Sequence, residues 1–366
     1  MNERCSFLTA KFVRLALATA PLVYLGAMAL PAPALANASD TLNNTRLSVV
    51  EEKVLAGYRI YHFPTRKGLG TRDVAPAADG SVWFNGQFAG VVGHLNPKTG
   101  AIKLIPLGKG SSPHGIVFGP DGLLWVTDGG MNAIVSIDPR TEKVSVYPLP
   151  AFSDARSHAI GMPSLEVNLN TLAFDGRGKL WFTGQNGVYG RFDPSTKTFT
   201  LYEAPQGSGP YGITSHPSGD VWFTNWARNY IARIDPATGA VSAVPLPDPI
   251  AGGARRIWSD SKGALWVSTW ITGSLQRYDP VSKTWRNYKM PGLGPRGYSV
   301  YVDRNDFIWI NDFTSSSVFR FDPKLESFVD FKSSVPTTQI LQMNGIGPWI
   351  WAGEQGVDRL ILFEKI

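Results

Sequence analysis

The sequence predicts an all-β protein: a seven-bladed β-propeller closed by an N-terminal strand that completes the last blade. Three observations carry this. A hairpin phrase, clearest in HGIVFGPDGLLWVTD from His114 to Asp128, recurs along the chain. Its tryptophan falls at Trp83, Trp125, Trp181, Trp222, Trp266, Trp309 and Trp351, at intervals of 42, 56, 41, 44, 43 and 42 residues. That period fits a unit of four short strands. The last repeat also lacks an outer strand, while one orphan strand stands near the start.

Each strand of the repeat has its own signature. Strand a (Ile116 to Phe118 in this copy) runs into the turn Pro120-Asp121-Gly122, and strand b carries the tryptophan. Pro, Asp and Gly set turn angles, whereas β-branched and aromatic residues suit a pleated, half-buried surface. Strand c reads like AIVSIDP and ends at Asn96-Pro97, Asp138-Pro139, Asp193-Pro194, Asp235-Pro236, Asp279-Pro280 and Asp322-Pro323. Strand d alternates and ends near proline, as in VSVYPLP from Val144, which suits an outer edge. The seventh unit runs WIWAGEQ then VDRLILF and stops, so Tyr58 to Pro64 is expected to pair with Val357 to Phe363 and close the ring.

The segment before the ring reads as a targeting signal. Arg4, Lys11 and Arg14 precede an apolar run from Leu15 to Leu30, and Ala34-Leu35-Ala36 supplies a small-x-small cleavage pattern. Residues 1–36 are therefore expected to be a signal peptide, 37–57 a lead-in with mild helical character at Leu47 to Leu55, and 58–366 one propeller domain. Export to the periplasm or medium follows, with no membrane attachment after cleavage. Cys5, the only cysteine, lies in the signal, so the mature chain would have no disulfide, thiolate metal site or cysteine nucleophile. Cleavage removes three cations and one acid, taking the net charge from +6 to about +4. No long basic run accompanies this charge, and nucleic-acid binding is not expected. A closed ring implies a monomer. The extra residues between Trp125 and Trp181 fall at Ala151 to Asn168, expected as a loop on the working face.

A hairpin centred four residues before each tryptophan would set the residue eleven before it opposite the residue three after it. Both positions fall at the channel end of the blade, forming two rings on one face. The first ring is Arg72, His114, Asn170, Tyr211, Arg255, Tyr298 and Ile340; the second is Gly86, Asp128, Gly184, Asn225, Thr269, Asp312 and Glu354. Such variety on a symmetric scaffold points to a polar pocket for a small molecule at one channel mouth. His114 and Asp128 read as a carboxylate-oriented general base, with Tyr211 or Tyr298 as alternatives. Arg72 and Arg255, with Arg256 beside them, suit a carboxylate or carbonyl. Asn170, Asn225, Gln185, Trp226 and Trp270 complete the substrate-binding candidates. Asp312 and Glu354, on neighbouring blades, are the candidates for a hard cation such as Mg²⁺. No organic cofactor is marked, and the Gly-His and Trp-Asp signature of WD repeats does not recur.

The stretches SPHGIVFGPDGLLWVTDGGMNAIVSIDP, GPYGITSHPSGDVWFTNWARNYIARIDP and GKLWFTGQNGVYGRFDP resemble the virginiamycin B (streptogramin) lyase family, from about Tyr58 to Ile366. The resemblance implies a seven-bladed propeller and, in active members, an Mg²⁺-dependent elimination that opens a cyclic depsipeptide at its ester bond. It implies a constellation of one His eleven before the tryptophan, then Glu-x-His and a Glu three after the tryptophan in the next blade. Blades 5 and 6 present Arg255, Arg296-x-Tyr298 and Asp312 at those positions. In blade 2, His114 and Asp128 take the His and acid positions, with Ser112 at the first Glu and Arg72 in the blade before. Blades 6 and 7 give Tyr298, Thr338-x-Ile340 and Glu354. The sequence thus leaves two expectations standing: a metal-assisted carbon–oxygen lyase acting on a cyclic ester or lactone-like substrate, or a non-catalytic binding propeller.

Overall fold

Each repeat folds into a four-stranded antiparallel blade, and seven blades close into a propeller. The structure is a computed model that describes residues 45–46, 52–152, 166–247 and 253–366. The expected signal segment lies outside these residues, as does the middle of the Ala151 to Asn168 insertion, 153–165. Among the described residues the helical pieces are two 3-10 turns, Gln87–Ala89 and Gln355–Val357, and no helix is long and apolar enough to cross a membrane.

Blade 1 shows the order: strand a Thr71–Pro76 lines the channel, then b Val82–Gly86, c Val91–Asn96 and d Ala101–Pro106 step outward. The turn chemistry works as its residue types suggest. In blades 3, 5 and 6 the aspartate at the turn (Asp175, Asp260, Asp303) accepts two backbone N–H groups of its own turn. The same carboxylate accepts the indole N–H of Trp181, Trp266 or Trp309 at 2.8–3.0 Å. Asp121 does this for Trp125 at 3.2 Å from inside its turn.

The core is seven packets lying between blades. Trp83 packs with Ile116, Leu124 and Val126 of blade 2, and Trp125 with Leu172, Leu180 and Phe182 of blade 3. The series continues round to Trp351, which packs on Val74, Val82 and Phe84 of blade 1. All seven tryptophans are at most 4% exposed. They bind one blade to the next and are withheld from any ligand.

The orphan strand Tyr58–Pro64 pairs with Arg359–Lys365, Tyr58 opposite Lys365 and Pro64 opposite Arg359, and so forms strand d of blade 7. The partner span starts at Arg359 because Gln355–Val357 is taken up by a 3-10 turn. The expected helical lead-in is corrected where it is described. Glu52–Leu55 is a strand, turning at Ala56 and Gly57 (φ 51° and 79°) to pair with Tyr58–Tyr61. The unpaired outer edge of Tyr58–Pro64 offers this segment a ladder of hydrogen bonds, which outweighs a weak helical pattern. Thr45–Arg46 likewise adds to the outside of blade 1.

Candidate functional site

The two rings do not face each other. Near the turn the a–b register is as the repeat suggests, with Val74 opposite Phe84. At the channel end one extra residue enters strand a. Gly86 pairs with Thr71, Asp128 with Pro113, Asn225 with Pro210 and Asp312 with Gly297. The residue eleven before each tryptophan therefore sits in a bulge, and a one-residue slip sends neighbouring side chains to opposite faces. In blade 7 the turn is only Gly347-Pro348, and Ile340 itself pairs with Glu354. Leu341 is thus that blade's ring residue, packed with Tyr211 and Tyr298, and the constellation positions there become Gln339 and Leu341.

A residue class unremarked in the sequence secures the bulges. Two places after the tryptophan stand Asn85, Thr127, Thr183, Thr224, Ser268 and Asn311. Each donates to a backbone carbonyl on the next blade's bulge, as Thr127 to Asn170 (2.5 Å), Thr224 to Arg255 (2.7 Å) and Asn85 to His114 (3.0 Å). Thr127, Thr224, Ser268 and Asn311 also accept an N–H from their own strand a. Blade 7 has Gly353 here, because a Cβ would meet the Arg72 carbonyl oxygen at 1.9 Å. The recurring Trp-x-Thr/Ser/Asn pattern was the legible signal.

The pairing of His114 with Asp128 is accordingly overturned. Asp128 is fully buried and accepts the Ser112, Gly130 and Met131 N–H groups at 2.9–3.0 Å and the Ser111 hydroxyl. Asp312 does the same for Arg296, Thr314 and Ser315. Asn225 accepts from Ala227 and Arg228 and donates to Tyr230. Glu354 is ion-paired with Arg359 and lies 3.7 Å from His62. The second ring shapes loops. Asp128→Ala is expected to lower stability by about 1–3 kcal/mol in denaturant titrations while leaving ligand affinity unchanged.

The first ring converges on the channel. Arg72 donates to Asp73 (3.1 Å), Gln87 (2.6 Å) and Nδ1 of His114 (3.2 Å). Arginine only donates, so His114 Nδ1 is an acceptor and the ring is neutral, with its one proton on Nε2. Burial, then Arg72 and Arg256, hold the imidazole well below its ordinary pKa. Unfolded chains take up this proton near pH 6.5, so stability from His114 falls as pH drops through that value. The His114→Gln variant should melt with a flatter pH dependence between about pH 8 and pH 5. Arg256 crosses the channel to Asp73 (3.0 Å) and donates to the Leu341 carbonyl (3.1 Å). Below this layer lies a cavity of about 330 Å³ lined by Asp73, Arg256, Thr171, Thr214 and Gln342 among others.

Across the channel the hydroxyls of Tyr211 and Tyr298 are hydrogen-bonded. Burial raises Tyr211, but Arg255, Arg256 and the bond from Tyr298 outweigh it, leaving this phenol below its usual pKa. Tyr298 is raised, by burial and by Tyr211. The Arg255 guanidinium carbon lies 5.0 Å from the Tyr211 ring centre, 5.1 Å from Trp226 and Trp270 and 5.4 Å from Tyr298. Among the described residues Arg255 has no carboxylate partner, and its Nε is buried without a hydrogen bond, as is Nε1 of Trp226. Trp226, Arg255 and Trp270 open into a pocket of about 680 Å³ completed by Arg296, Lys289, Leu293 and their neighbours. Arg72, His114, Tyr211, Arg255, Tyr298, Trp226 and Trp270 are thus gathered at one mouth. Asn170 is wholly buried in the ring with Nδ2 unpaired, and Gln185 stands in the blade 3 loop, its backbone bonded to Asn168 and Gly209.

Seven four-stranded blades in a closed ring, with their unlike residues collected at one channel mouth, define a seven-bladed β-propeller. The chain belongs to the virginiamycin B lyase family, whose model matches residues 57–321. Virginiamycin B lyase from Staphylococcus aureus is similar over 84% of this chain and 100% of its own, with 20% identity and a TM-score of 0.75. A catalytically inactive variant of that enzyme with quinupristin gives the same figures. YCF48 bound to D1 peptide is similar at 12% identity and a TM-score of 0.62, over 88% of this chain and 98% of that one. No curated protein sequence matches. These structural likenesses show the fold.

The residues present do not fit the Mg²⁺ that the family implies. Asp312 is saturated by backbone N–H groups and Glu354 by Arg359. No group of three or more His, Cys, Asp or Glu side chains among the described residues is placed to hold a metal ion.

Proposed function

We propose that this chain is an exported member of the family that binds a small organic molecule at the channel mouth over blades 4 to 6, as a binding propeller. One observation carries the reading: the unpaired Arg255 guanidinium, boxed by four aromatic rings, opens into a pocket large enough for a drug-sized ligand. Trp226 and Trp270 in its wall make binding visible as a change in intrinsic fluorescence. A screen of ring-bearing small molecules is expected to return ligands whose signal is lost in Trp270→Ala.

A second reading keeps the family's chemistry: a carbon–oxygen lyase opening a cyclic ester, depsipeptide or lactone. Family membership favours it, together with the Tyr211 phenol held below its usual pKa as a candidate base. Incubation of the pure protein with quinupristin, or with a lactone panel, with and without Mg²⁺, discriminates. Intact substrate is the expected result, and ring-opened product would restore the lyase reading.

A further inference from the structure

The four positions at which the family resemblance implies two His and two Glu hold Arg255, Arg296, Tyr298 and Asp312 in blades 5 and 6. Three changes of chemistry occur together there. Two potential metal donors become guanidiniums. A third becomes a phenol already bonded to Tyr211, and the fourth, Asp312, is turned into its loop. A site built to surround a cation has become one that repels it.

What replaces the cation can be read from the pocket wall. Arg255, Arg296 and Lys289 line it, and no carboxylate among the described residues does. Arg296 lies over the Trp270 ring at 5.1 Å, and none of these three cations has an ion-pair partner among the described residues. The polar end therefore holds donors without acceptors: the Arg255 guanidinium lines the pocket, and behind its surface the Nε of Arg255 and the indole N–H of Trp226 are buried without partners. The outer lip is apolar, with Ile271 60% and Leu293 99% exposed. A guanidinium among aromatic rings, in partly desolvated surroundings, favours a planar anion that accepts two parallel hydrogen bonds.

We propose that the family's metal position is converted in this chain into an anion site, which takes an organic carboxylate with its charged group on Arg255 and Arg296 and its apolar ring against Ile271 and Leu293. This rests on the reading of the mouth as a ligand pocket and names the ligand class. Recognition requires no divalent ion.

Calorimetric titration of the whole protein tests it, with a naphthalene carboxylate, its uncharged methyl ester and inorganic phosphate, each in EDTA and again with Mg²⁺. The carboxylate is expected to bind at least tenfold more tightly than the ester, as loss of a charge-assisted pair implies. Mg²⁺ should leave that affinity unchanged. Arg255→Gln should lose roughly tenfold or more and Arg296→Gln less, with Arg255→Lys between wild type and Arg255→Gln. Circular dichroism melts confirm that the variants fold. Equal binding of ester and acid, unaffected by Arg255→Gln, overturns the anion site while leaving the small-molecule pocket intact. An affinity that Mg²⁺ raises tenfold also overturns the metal-free anion site, and binding of phosphate without binding of the carboxylate overturns the organic-carboxylate assignment. Binding of none of the probes overturns the pocket reading together with the proposal.

Discussion

Asp73→Ala is expected to cost about 3–5 kcal/mol of folding stability, because it strands buried cations. Asp73 is 1% exposed and receives Arg72 at 3.1 Å and Arg256 at 3.0 Å, from blades on opposite sides of the channel. Without it the Arg256 side chain, itself 5% exposed, keeps among the described residues the Leu341 carbonyl and the face of the Tyr211 ring, neither of which carries a full negative charge. Urea titration of the single variant reads the loss. The double variant Asp73→Leu with Arg256→Met is the informative control. Replacing Asp73 and Arg256 with apolar groups of similar size removes the desolvation penalty of Arg256 along with its pair, so it should recover the part of the loss that Arg256 causes, while Arg72 stays buried against Gln87 and His114. A double variant as unstable as the single would mean that the ion pair contributes through more than mutual neutralisation.

A chain starting at Thr65 should fail to fold. It lacks the seven-residue strand that pairs with Arg359–Lys365 and buries Tyr58, Ile60 and Phe63. Burial of such side chains is worth about 1.5–3 kcal/mol each. Together with the lost ladder this rivals the roughly 5–15 kcal/mol that holds a typical domain. The exposed edge would also invite association between chains. Light scattering and a lost cooperative melt are the readouts. The milder Phe63→Ala, which removes the ring lying 5.5 Å from Trp351, should fold with a loss of about 3–5 kcal/mol. A truncated chain that melts cooperatively near the full-length temperature would show that the ring closes by another route.

The architecture was legible because it is written in repeated, local terms. Tryptophan spacing counts blades, Asp-Gly turns mark hairpins, and a missing strand at one end matched a spare strand at the other. The site was legible only in part, since its geometry turns on single-residue offsets that composition does not record. One inserted residue at the channel end separates His114 from Asp128. A two-residue turn in blade 7 puts Leu341 where counting gives Ile340. Asp128 and Asp312 read as chemistry because the N–H groups that saturate them belong to loops whose path is not visible in side-chain types. Arg255, Trp226 and Trp270 were found because they are unlike their counterparts in other blades.

The bulge in every innermost strand has an evolutionary consequence. Where a ring residue stands, the ladder to its neighbour is already interrupted, and the following blade's anchor comes from the hydroxyl or amide two places after a tryptophan. The mouth residue can therefore change from histidine to arginine or tyrosine without altering register or turn. Scaffold and specificity are inherited separately, so a lineage can exchange one class of ligand for another by substitutions at a few positions while the ring itself stays unaltered.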